Sequence, residues 1–186
     1  MKLKLLSDDI AEVSGQAHAP AMVAAVKRRE LLGVVAAVPL LGGAASAEAS
    51  ARAVAEAFAR TLSAHDLAAF AALFAPDYVN HQRSAAAKPP PEGLTGKQIV
   101  VALFADRLRA LPDLTVTVEH LLPGADGVAA SYVYEGTQRG PYLGQPATGR
   151  RMRFTSCDIF RLRDGLIVEH WGMSDTAGAL SQIRGG

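Results

Sequence analysis

The chain has 186 residues, of which 49% are hydrophobic and 20% are charged, and this length favours a single domain. Its 19 Lys and Arg nearly match its 18 Asp and Glu, and the two kinds balance after residue 47, so nothing favours a nucleic-acid partner. A single cysteine, Cys157, excludes an internal disulfide framework, and no Cys/His spacing is typical of a zinc site.

Residues 1–47 predict an export signal. A basic cluster at residues 27–29 precedes an apolar run that ends at Ala45-Ser46-Ala47, the layout of a secretory signal peptide. The Arg28-Arg29 pair resembles a twin-arginine signal, and a start at Met22 would give it a conventional length. The apolar run is shorter than the roughly 20 residues that cross a bilayer, so no stable membrane insertion is expected. We therefore expect a protein of the bacterial periplasm or exterior; the alternative is an N-terminal helix packed on a cytoplasmic domain.

The first half of the predicted domain, residues 48–186, has helical spacing. Apolar residues recur every three or four positions over 49–74, and Asp66 is placed to cap a second, short helix that ends near Pro76. A third helix is predicted over 95–111, where Pro112 stops it. Its expected apolar stripe consists of Ile99, Leu103, Phe104 and Leu108.

After Pro112 the apolar period changes from helical to alternating. Turn residues, including the hairpin signal Asp164-Gly165, separate four predicted strands. These strands are Leu114–His120, Val128–Gly136, Arg151–Leu162 and Leu166–Met173. Helices followed by a meander of strands predict an α+β fold with helices packed on one face of an antiparallel sheet. A strongly curved sheet of this kind can enclose a cavity with apolar walls.

Asp158 is the candidate for chemistry on the third of these strands. Alternation places it on one face with large apolar side chains, including Phe154 and Phe160. Burial there would make the carboxylate a stronger base, which suits general acid/base catalysis. The alternative is a structural ion pair with an arginine on a neighbouring strand.

Further candidates lie on the neighbouring strand and after the second helix. The Asp164-Gly165 turn brings His170 within reach of Asp158, as a proton partner or as a structural histidine. Trp171 and the aromatic residues Tyr132, Tyr134, Phe154 and Phe160 are the expected cavity walls. Asn80 and His81 precede a loop, where they could point into the cavity mouth or cap a turn.

The order and spacing of several short motifs resemble the SnoaL-like polyketide cyclase family, over about residues 49–183. The motifs are Tyr78-Val79-Asn80-His81, Pro112-Asp113-Leu114, Tyr134-Glu135-Gly136-Thr137, Leu143-Gly144 with Thr148-Gly149-Arg150, Asp158-Ile159-Phe160-Arg161 and Asp164 to Trp171. The family belongs to the nuclear transport factor 2-like (cystatin-like) superfamily. The resemblance implies a cone-shaped α+β fold, with a curved antiparallel sheet whose concave face carries the N-terminal helices and encloses a pocket.

The resemblance also implies site residues. It gives Asp158 the role of catalytic base, with His170, His81 and Asn80 holding or polarising the substrate, without metal or cofactor. Gln138 is a further pocket residue, at a position where many relatives have a histidine. A homodimer is expected, formed through the exposed face of the sheet.

These implications favour a cofactor-independent cyclase or isomerase acting on a small, apolar, carbonyl-bearing molecule. Two alternatives stay open. One is a hydrolase like the epoxide hydrolases of the superfamily, which would need a second carboxylate, for which Asp175 is the only candidate. The other is a non-catalytic envelope protein that holds an apolar ligand in the same cavity.

Overall fold

A computed structural model describes residues 40–82 and 92–186 of the chain. Its elements are α1 (Leu40–Ser63), α2 (Leu67–Ala72), β1 (Phe74–Asn80), α3 (Gly96–Ala110), β2 (Thr115–Pro123), β3 (Gly127–Thr137), β4 (Arg151–Arg163), β5 (Leu166–Ser174) and α4 (Thr176–Arg184). Most of the predicted export signal, including Met22, lies outside the described residues and stays a prediction. None of the described helices is long and apolar enough to cross a membrane.

The helix boundaries follow local capping chemistry. The Asp66 side chain accepts a hydrogen bond from the backbone N–H of Ala69 and so caps α2, as predicted. Thr95 and Gln98 form a reciprocal capping box at the start of α3. Helix α1 begins earlier than the periodicity indicated, at Leu40, because the alanine-rich run before residue 49 also favours helix.

The five strands form one open, curved sheet in the order β1-β5-β4-β3-β2. The four predicted strands pair antiparallel, and β3 and β4 pair without a register shift from Gly127 to Thr137. Strand β1 was not predicted and pairs parallel with β5 at the sheet edge, a position that tolerates Pro76. Helix α4, also not predicted, follows β5 and packs on β4.

The core lies between α1 and the inner face of the sheet. Helix α1 packs on β2 and β3, while α3 packs on β1. The ring of Phe58 lies at the centre, with four aromatic rings from both layers between 5.1 and 5.5 Å away. These rings belong to Phe70, Phe104, Tyr132 and Phe160. Their tilted and edge-on arrangement is the one that aromatic pairs favour, and it fixes the helices on the sheet.

A hydrogen-bonded clamp joins the exit of α3 to the end of β3. The Asp113 carboxylate accepts hydrogen bonds from the backbone N–H of Thr137 at 2.6 Å and from the Thr137 hydroxyl at 2.7 Å. Gly136 makes the close approach possible, because a Cβ there would lie 3.3 Å from the Leu111 Cβ and the Leu114 Cα. The motif that contains Asp113 and the motif that contains Gly136 and Thr137 thus contact each other in the fold.

The hydrogen bonds between Asp113 and Thr137 are expected to stabilise the fold at neutral pH and to lose this effect in acid. Its two hydrogen bonds from Thr137 hold the pKa of Asp113 below the ordinary 3.8. A lowered folded-state pKa stabilises the fold above the unfolded-state value, and this contribution is lost as pH falls through the folded-state value. We expect Asp113→Ala to lower the unfolding midpoint at pH 7 by about 2 °C, a small effect because the carboxylate is exposed and screened. The difference from wild type should shrink below about pH 4.

Thermal unfolding followed by circular dichroism at pH 7 and pH 3 measures this effect. Asp126→Ala is the matched control, because the Asp126 side chain lies in an exposed turn and makes no hydrogen bond within the described residues. An Asp113→Ala deficit of the same size at both pH values would contradict the assignment.

Candidate active site

The inner face of β4 carries Asp158, as the alternation predicted. Along β4, residues 152, 154, 156, 158 and 160 are buried, whereas 153, 157, 159 and 161 are exposed. Asp158 itself is 5% exposed. A carboxylate in this position requires hydrogen-bond donors, because an unpaired buried charge is costly.

Two side chains supply these donors. The Ser156 hydroxyl donates to Oδ2 of Asp158 at 2.6 Å, and Nε2 of His170 lies 2.7 Å from Oδ1. His170 is 4% exposed, so the pair is shielded from water. The predicted meeting of Asp158 and His170 is therefore present, and the structure shows a histidine partner where an arginine was the alternative.

The pair meets diagonally across the two strands. The residue opposite Asp158 on β5 is Gly172, and the residue opposite His170 on β4 is Phe160. A Cβ at Gly172 would lie 2.1 Å from Oδ1 of Asp158 and 2.7 Å from Nε2 of His170, so the carboxylate occupies the space a side chain would need. Gly172 is thus the residue that lets the two groups touch.

Tyr78 on β1 extends the network. Its hydroxyl lies 3.1 Å from Nδ1 of His170. Burial, and to a lesser extent the charge of Asp158, raise the pKa of Tyr78 above its ordinary value of 10.0, so the phenol keeps its proton. The Asp158 carboxylate can only accept, so a neutral His170 satisfies both neighbours when Nε2–H donates to Asp158 and Nδ1 accepts from Tyr78.

This arrangement predicts the Nε2–H tautomer for the neutral form of His170. A long-range ¹H–¹⁵N correlation spectrum distinguishes the two ring nitrogens directly. We expect Nδ1 to have the shift of an unprotonated nitrogen, and Tyr78→Phe to change the Nδ1 shift while the Nε2–H assignment persists. An Nδ1–H tautomer in the wild-type protein would contradict the network.

A cavity of about 200 Å³ lies next to this network. It begins at the next inward-facing pair of opposed residues on β4 and β5, Ser156 and Ser174. Its walls come from the sheet, from α3, from the loop before β4 and from the start of α4. The lining side chains are Asn80, Gln82, Leu103, Arg107, Tyr142, Leu143, Phe154, Ser174, Asp175, Thr176 and Ala179. Asp158 and His170 do not line the cavity themselves.

The register shows how the cavity and the network are related. Phe154 lines the cavity and lies four residues from Asp158 on the same face of β4, roughly 13 Å along the strand. Between them lies Ser156, which is opposite the cavity residue Ser174. Ser156 and Gly172 are small, so only small residues of β4 and β5 separate the cavity from the carboxylate.

A larger open groove, of about 540 Å³, lies between α2, β1 and α3. Lys97 is the one charged residue in its lining, and its ammonium donates to the backbone carbonyl of Phe74 at 2.8 Å. This groove offers no acid/base pair, so the smaller cavity next to Asp158 is the candidate site.

Arg107 of α3 is the cation of the candidate site. Its guanidinium lies over the rings of Phe104, Tyr134 and Phe154, at 4.6, 5.1 and 5.9 Å from their centroids. Tyr134 and Phe154 in turn stack on each other at 5.1 Å. Phe154 and Tyr134 were both predicted to form cavity walls. Phe154 lines the cavity, whereas Tyr134 does not and packs against Phe154 and the Arg107 guanidinium.

Two predicted site residues, His81 and Trp171, lie on the other side of the sheet. Their rings stack at 4.4 Å, and Nε2 of His81 lies 2.9 Å from a carboxylate oxygen of Glu169. Trp171 is 39% exposed and follows the inward-facing His170. The structure therefore separates His81 and Trp171 from the Asp158 network, because adjacent residues of a strand point to opposite faces.

Three other predicted pocket residues have structural contacts instead. The Gln138 amide bonds to the loop before β4, donating to the Pro146 carbonyl at 2.8 Å and accepting from the Thr148 backbone N–H at 3.0 Å. The Tyr132 hydroxyl donates to the Ala55 carbonyl of α1 at 3.2 Å. Phe160 is buried against Phe58 and the His170 ring.

Asn80 fulfils both expectations for its position. It lines the cavity, and its Oδ1 accepts from the backbone N–H of Gln82 at 2.8 Å, which fixes the turn after β1. Asp175, the candidate second carboxylate, also lines the cavity, where Oδ1 caps α4 by accepting from the Gly178 N–H at 2.8 Å.

The sequence reasoning did not identify Tyr78, Gly172 and Arg107 as site residues. Tyr78 could have been found as the residue two positions before Asn80, on the same face of a strand. The signal for Arg107 is a charged residue in helical register with Phe104 and Leu111, on the buried side of α3. Within the two described ranges, no group of three His, Cys, Asp or Glu side chains is arranged to hold a metal ion.

An open, curved sheet covered by helices, with a buried carboxylate beside a small cavity, defines an α+β protein of the nuclear transport factor 2-like class. The family model for the SnoaL-like polyketide cyclase matches residues 52–183, and the chain belongs to this family. Comparison with curated proteins gives no match.

Solved structures agree with this assignment. TsrD from Streptomyces laurentii is 29% identical, with a TM-score of 0.63, over 73% of this chain and 95% of its own. IdmH from Streptomyces antibioticus is 30% identical, with a TM-score of 0.62, over 72% of this chain and 97% of its own. A SnoaL-like polyketide cyclase from Agrobacterium tumefaciens is 17% identical, with a TM-score of 0.57, over 71% of this chain and 96% of its own, and shares the fold.

Proposed function

We propose that the protein is a cofactor-independent cyclase or isomerase in which Asp158 acts as general acid and base on a carbonyl-bearing substrate. Family membership supports a cyclase- or isomerase-type function. The observation that carries the finer proposal is a carboxylate, 5% exposed, held by Ser156 and His170 next to a cavity with an apolar wall.

The proposed reaction balances within one substrate molecule. Asp158 takes a proton from a carbon flanked by carbonyl groups, whose electron pair delocalises onto the carbonyl oxygen as an enolate. The carbon then attacks a second carbonyl carbon of the same molecule, a C–C bond forms, and the resulting alkoxide receives the proton back from Asp158. Because the substrate itself delocalises the charge, a positioned carboxylate and hydrogen-bond donors are sufficient catalysts.

His170 and Tyr78 position the base in this scheme. The Nε2–H of His170 fixes the orientation of the carboxylate, and Tyr78 fixes the tautomer of His170. In this scheme the substrate reaches Asp158 past Ser156 and Gly172, the small inward-facing residues of β4 and β5 between the cavity and the carboxylate.

Proton exchange tests the proposal without knowledge of the natural substrate. In D₂O, the protein is expected to accelerate replacement of the C2 protons of ethyl acetoacetate above the buffer rate, followed by ¹H NMR. The control is Asp158→Asn at the same protein concentration, which lacks the proposed base. Exchange at the buffer rate for ethyl acetoacetate and for a larger aromatic β-keto ester would contradict general-base catalysis.

A binding protein is the second candidate function. It is favoured by the same network, because Asp158 and His170 are hydrogen-bonded to each other and do not line the cavity. Mass spectrometry of ligand released from the purified protein tests it. A carbonyl-free apolar ligand that binds wild type and Asp158→Asn equally would support binding over catalysis. The hydrolase alternative gains no such support, because Asp175 is occupied in capping α4.

Export and dimer formation complete the proposal. The outer face of the sheet exposes Val79, Ile159, Trp171 and Met173, which are between 39% and 80% exposed. An apolar face of this kind suits contact with a second copy of the chain. We also propose that two copies of the chain form a homodimer through this face, and that the N-terminal segment directs export.

A further inference from the structure

We propose that Arg107 makes the cavity a binding site for a carboxylate, so that the substrate is an organic acid and not a neutral apolar molecule. This inference rests on the proposed function, since it names the substrate class of the same site. Arg107 lines the cavity together with Phe154 and Tyr142.

Arg107 has no direct salt-bridge partner in the part of the chain that the structure describes. No salt bridge joins Arg107 to an Asp or Glu within the described residues, and its Nε is buried without a hydrogen-bond partner. Burying a cation without a partner is costly, and arginine cannot lose its proton to avoid the cost. The Tyr142 hydroxyl, which also lines the cavity, is a polar neighbour of the guanidinium, and the charge of Asp158 acts on it through space without a salt bridge. A ligand that brings its own negative charge would supply the direct ion pair that the described residues do not.

The packing of aromatic rings around Arg107 also supports a carboxylate ligand. The rings of Phe104, Tyr134 and Phe154 interact with the guanidinium between 4.6 and 5.9 Å from their centroids. Aromatic rings satisfy the cation without using its N–H groups. The N–H groups that Tyr142 does not engage, including the Nε–H, stay available for a planar, two-point contact with a carboxylate, the geometry in which Arg is superior to Lys.

The placement of the two charges orients the substrate. Arg107 lies over Phe154, and Asp158 lies four residues further along the same face of β4. A substrate with its carboxylate on Arg107 and an apolar body over Phe154 would present its reactive carbonyl segment toward Asp158. Asp175 on the cavity wall does not compete for Arg107, because its carboxylate caps α4 and forms no salt bridge with Arg107.

Matched probes test the inference. Benzoate and benzamide have nearly the same shape and differ in charge, and their affinities are measured by isothermal titration calorimetry with the full chain. We expect benzoate to bind wild type at least tenfold more tightly than benzamide. Arg107→Met should remove this preference, and Arg107→Lys should retain part of it. Arg109→Met is the control, because Arg109 is exposed and paired with Asp106 on the same helix.

Equal affinity for the two probes in wild type, or binding of neither, would overturn the inference, as would benzoate affinity that survives in Arg107→Met. If Arg107→Met does not fold, the wild-type comparison and Arg107→Lys still decide, since a purely structural arginine gives no charge preference. Wild-type results separate the two proposals. Benzoate preference without exchange of a β-keto ester that also carries a carboxylate contradicts the proposed function alone, and exchange without benzoate preference contradicts this inference alone.

Discussion

Asp158→Asn is expected to abolish proton exchange while the protein stays folded. Loss of a positioned general base lowers rates by about 10²–10⁴-fold, and the exchange rate of ethyl acetoacetate should fall to the buffer rate. The fold should persist because an amide keeps both contacts: its oxygen accepts from His170, and its NH₂ group donates to a rotated Ser156 hydroxyl. The measurement combines exchange by NMR with thermal unfolding by circular dichroism.

Asp126→Asn is the matched control for Asp158→Asn, because it makes the same chemical change in an exposed turn. It should leave both exchange and stability unchanged. Wild-type exchange in a folded Asp158→Asn protein would show that another group is the base. If Asp158→Asn does not fold, Asp158→Ser replaces it in the assay, because serine leaves a small hydroxyl in the same space.

Gly172→Ala is expected to impair both stability and exchange. The new Cβ would lie 2.1 Å from Oδ1 of Asp158, so the carboxylate must move and its contact with His170 is lost. Overpacking of this kind costs about 1–3 kcal/mol. The free energy of unfolding from urea titration measures this cost, and the NMR assay measures the loss of exchange.

A double-mutant cycle identifies the cause of the Gly172→Ala effect. Asp158→Ala removes the Oδ1 atom that the new Cβ would strike at 2.1 Å, so the part of the cost due to Asp158 should disappear in that background, while the 2.7 Å contact with Nε2 of His170 remains. Gly124→Ala is the control, since a Cβ there meets only the Gly127 carbonyl oxygen, at 3.6 Å. An equal cost of Gly172→Ala in both backgrounds would contradict the assigned contact.

The part of the site on β4 could be predicted from the sequence. Strict alternation from Met152 to Phe160 fixes which side chains share the buried face, and β4 pairs with β3 without a bulge, so the pattern persists. The Asp164-Gly165 turn then brings β5 beside β4, and this was sufficient to place His170 near Asp158.

The contribution of β1 could not be predicted in the same way. It pairs parallel with β5, whose paired residues lie 90 to 93 positions later in the chain, and its register shifts between Phe74 and Val79. Without that pairing, the sequence does not show that Tyr78 and Asn80 face inward while His81 faces outward. The predicted role of His81 depended on this missing information.

The orientation of α3 was predicted only in part. Phe104 of the expected stripe is buried, but Leu103 is 49% exposed, and Val100, which was not in the stripe, is buried. Apolar residues occur on more than one side of this helix, so the spacing alone does not select the buried side. The observed rotation brings Arg107 toward the sheet and the cavity, where no apolar pattern would place a charge.

The position of a bound substrate is the most direct test of Asp158 as the general base. Crystals of Asp158→Asn soaked with a β-keto ester that wild type exchanges would hold the substrate before proton transfer. We expect the activated carbon to lie within about 3.5 Å of the side chain at position 158, reached past Ser156 and Gly172. A ligand held over Phe154 and Ser174, with Ser156 still closing off position 158, would contradict the assignment of Asp158 as the base.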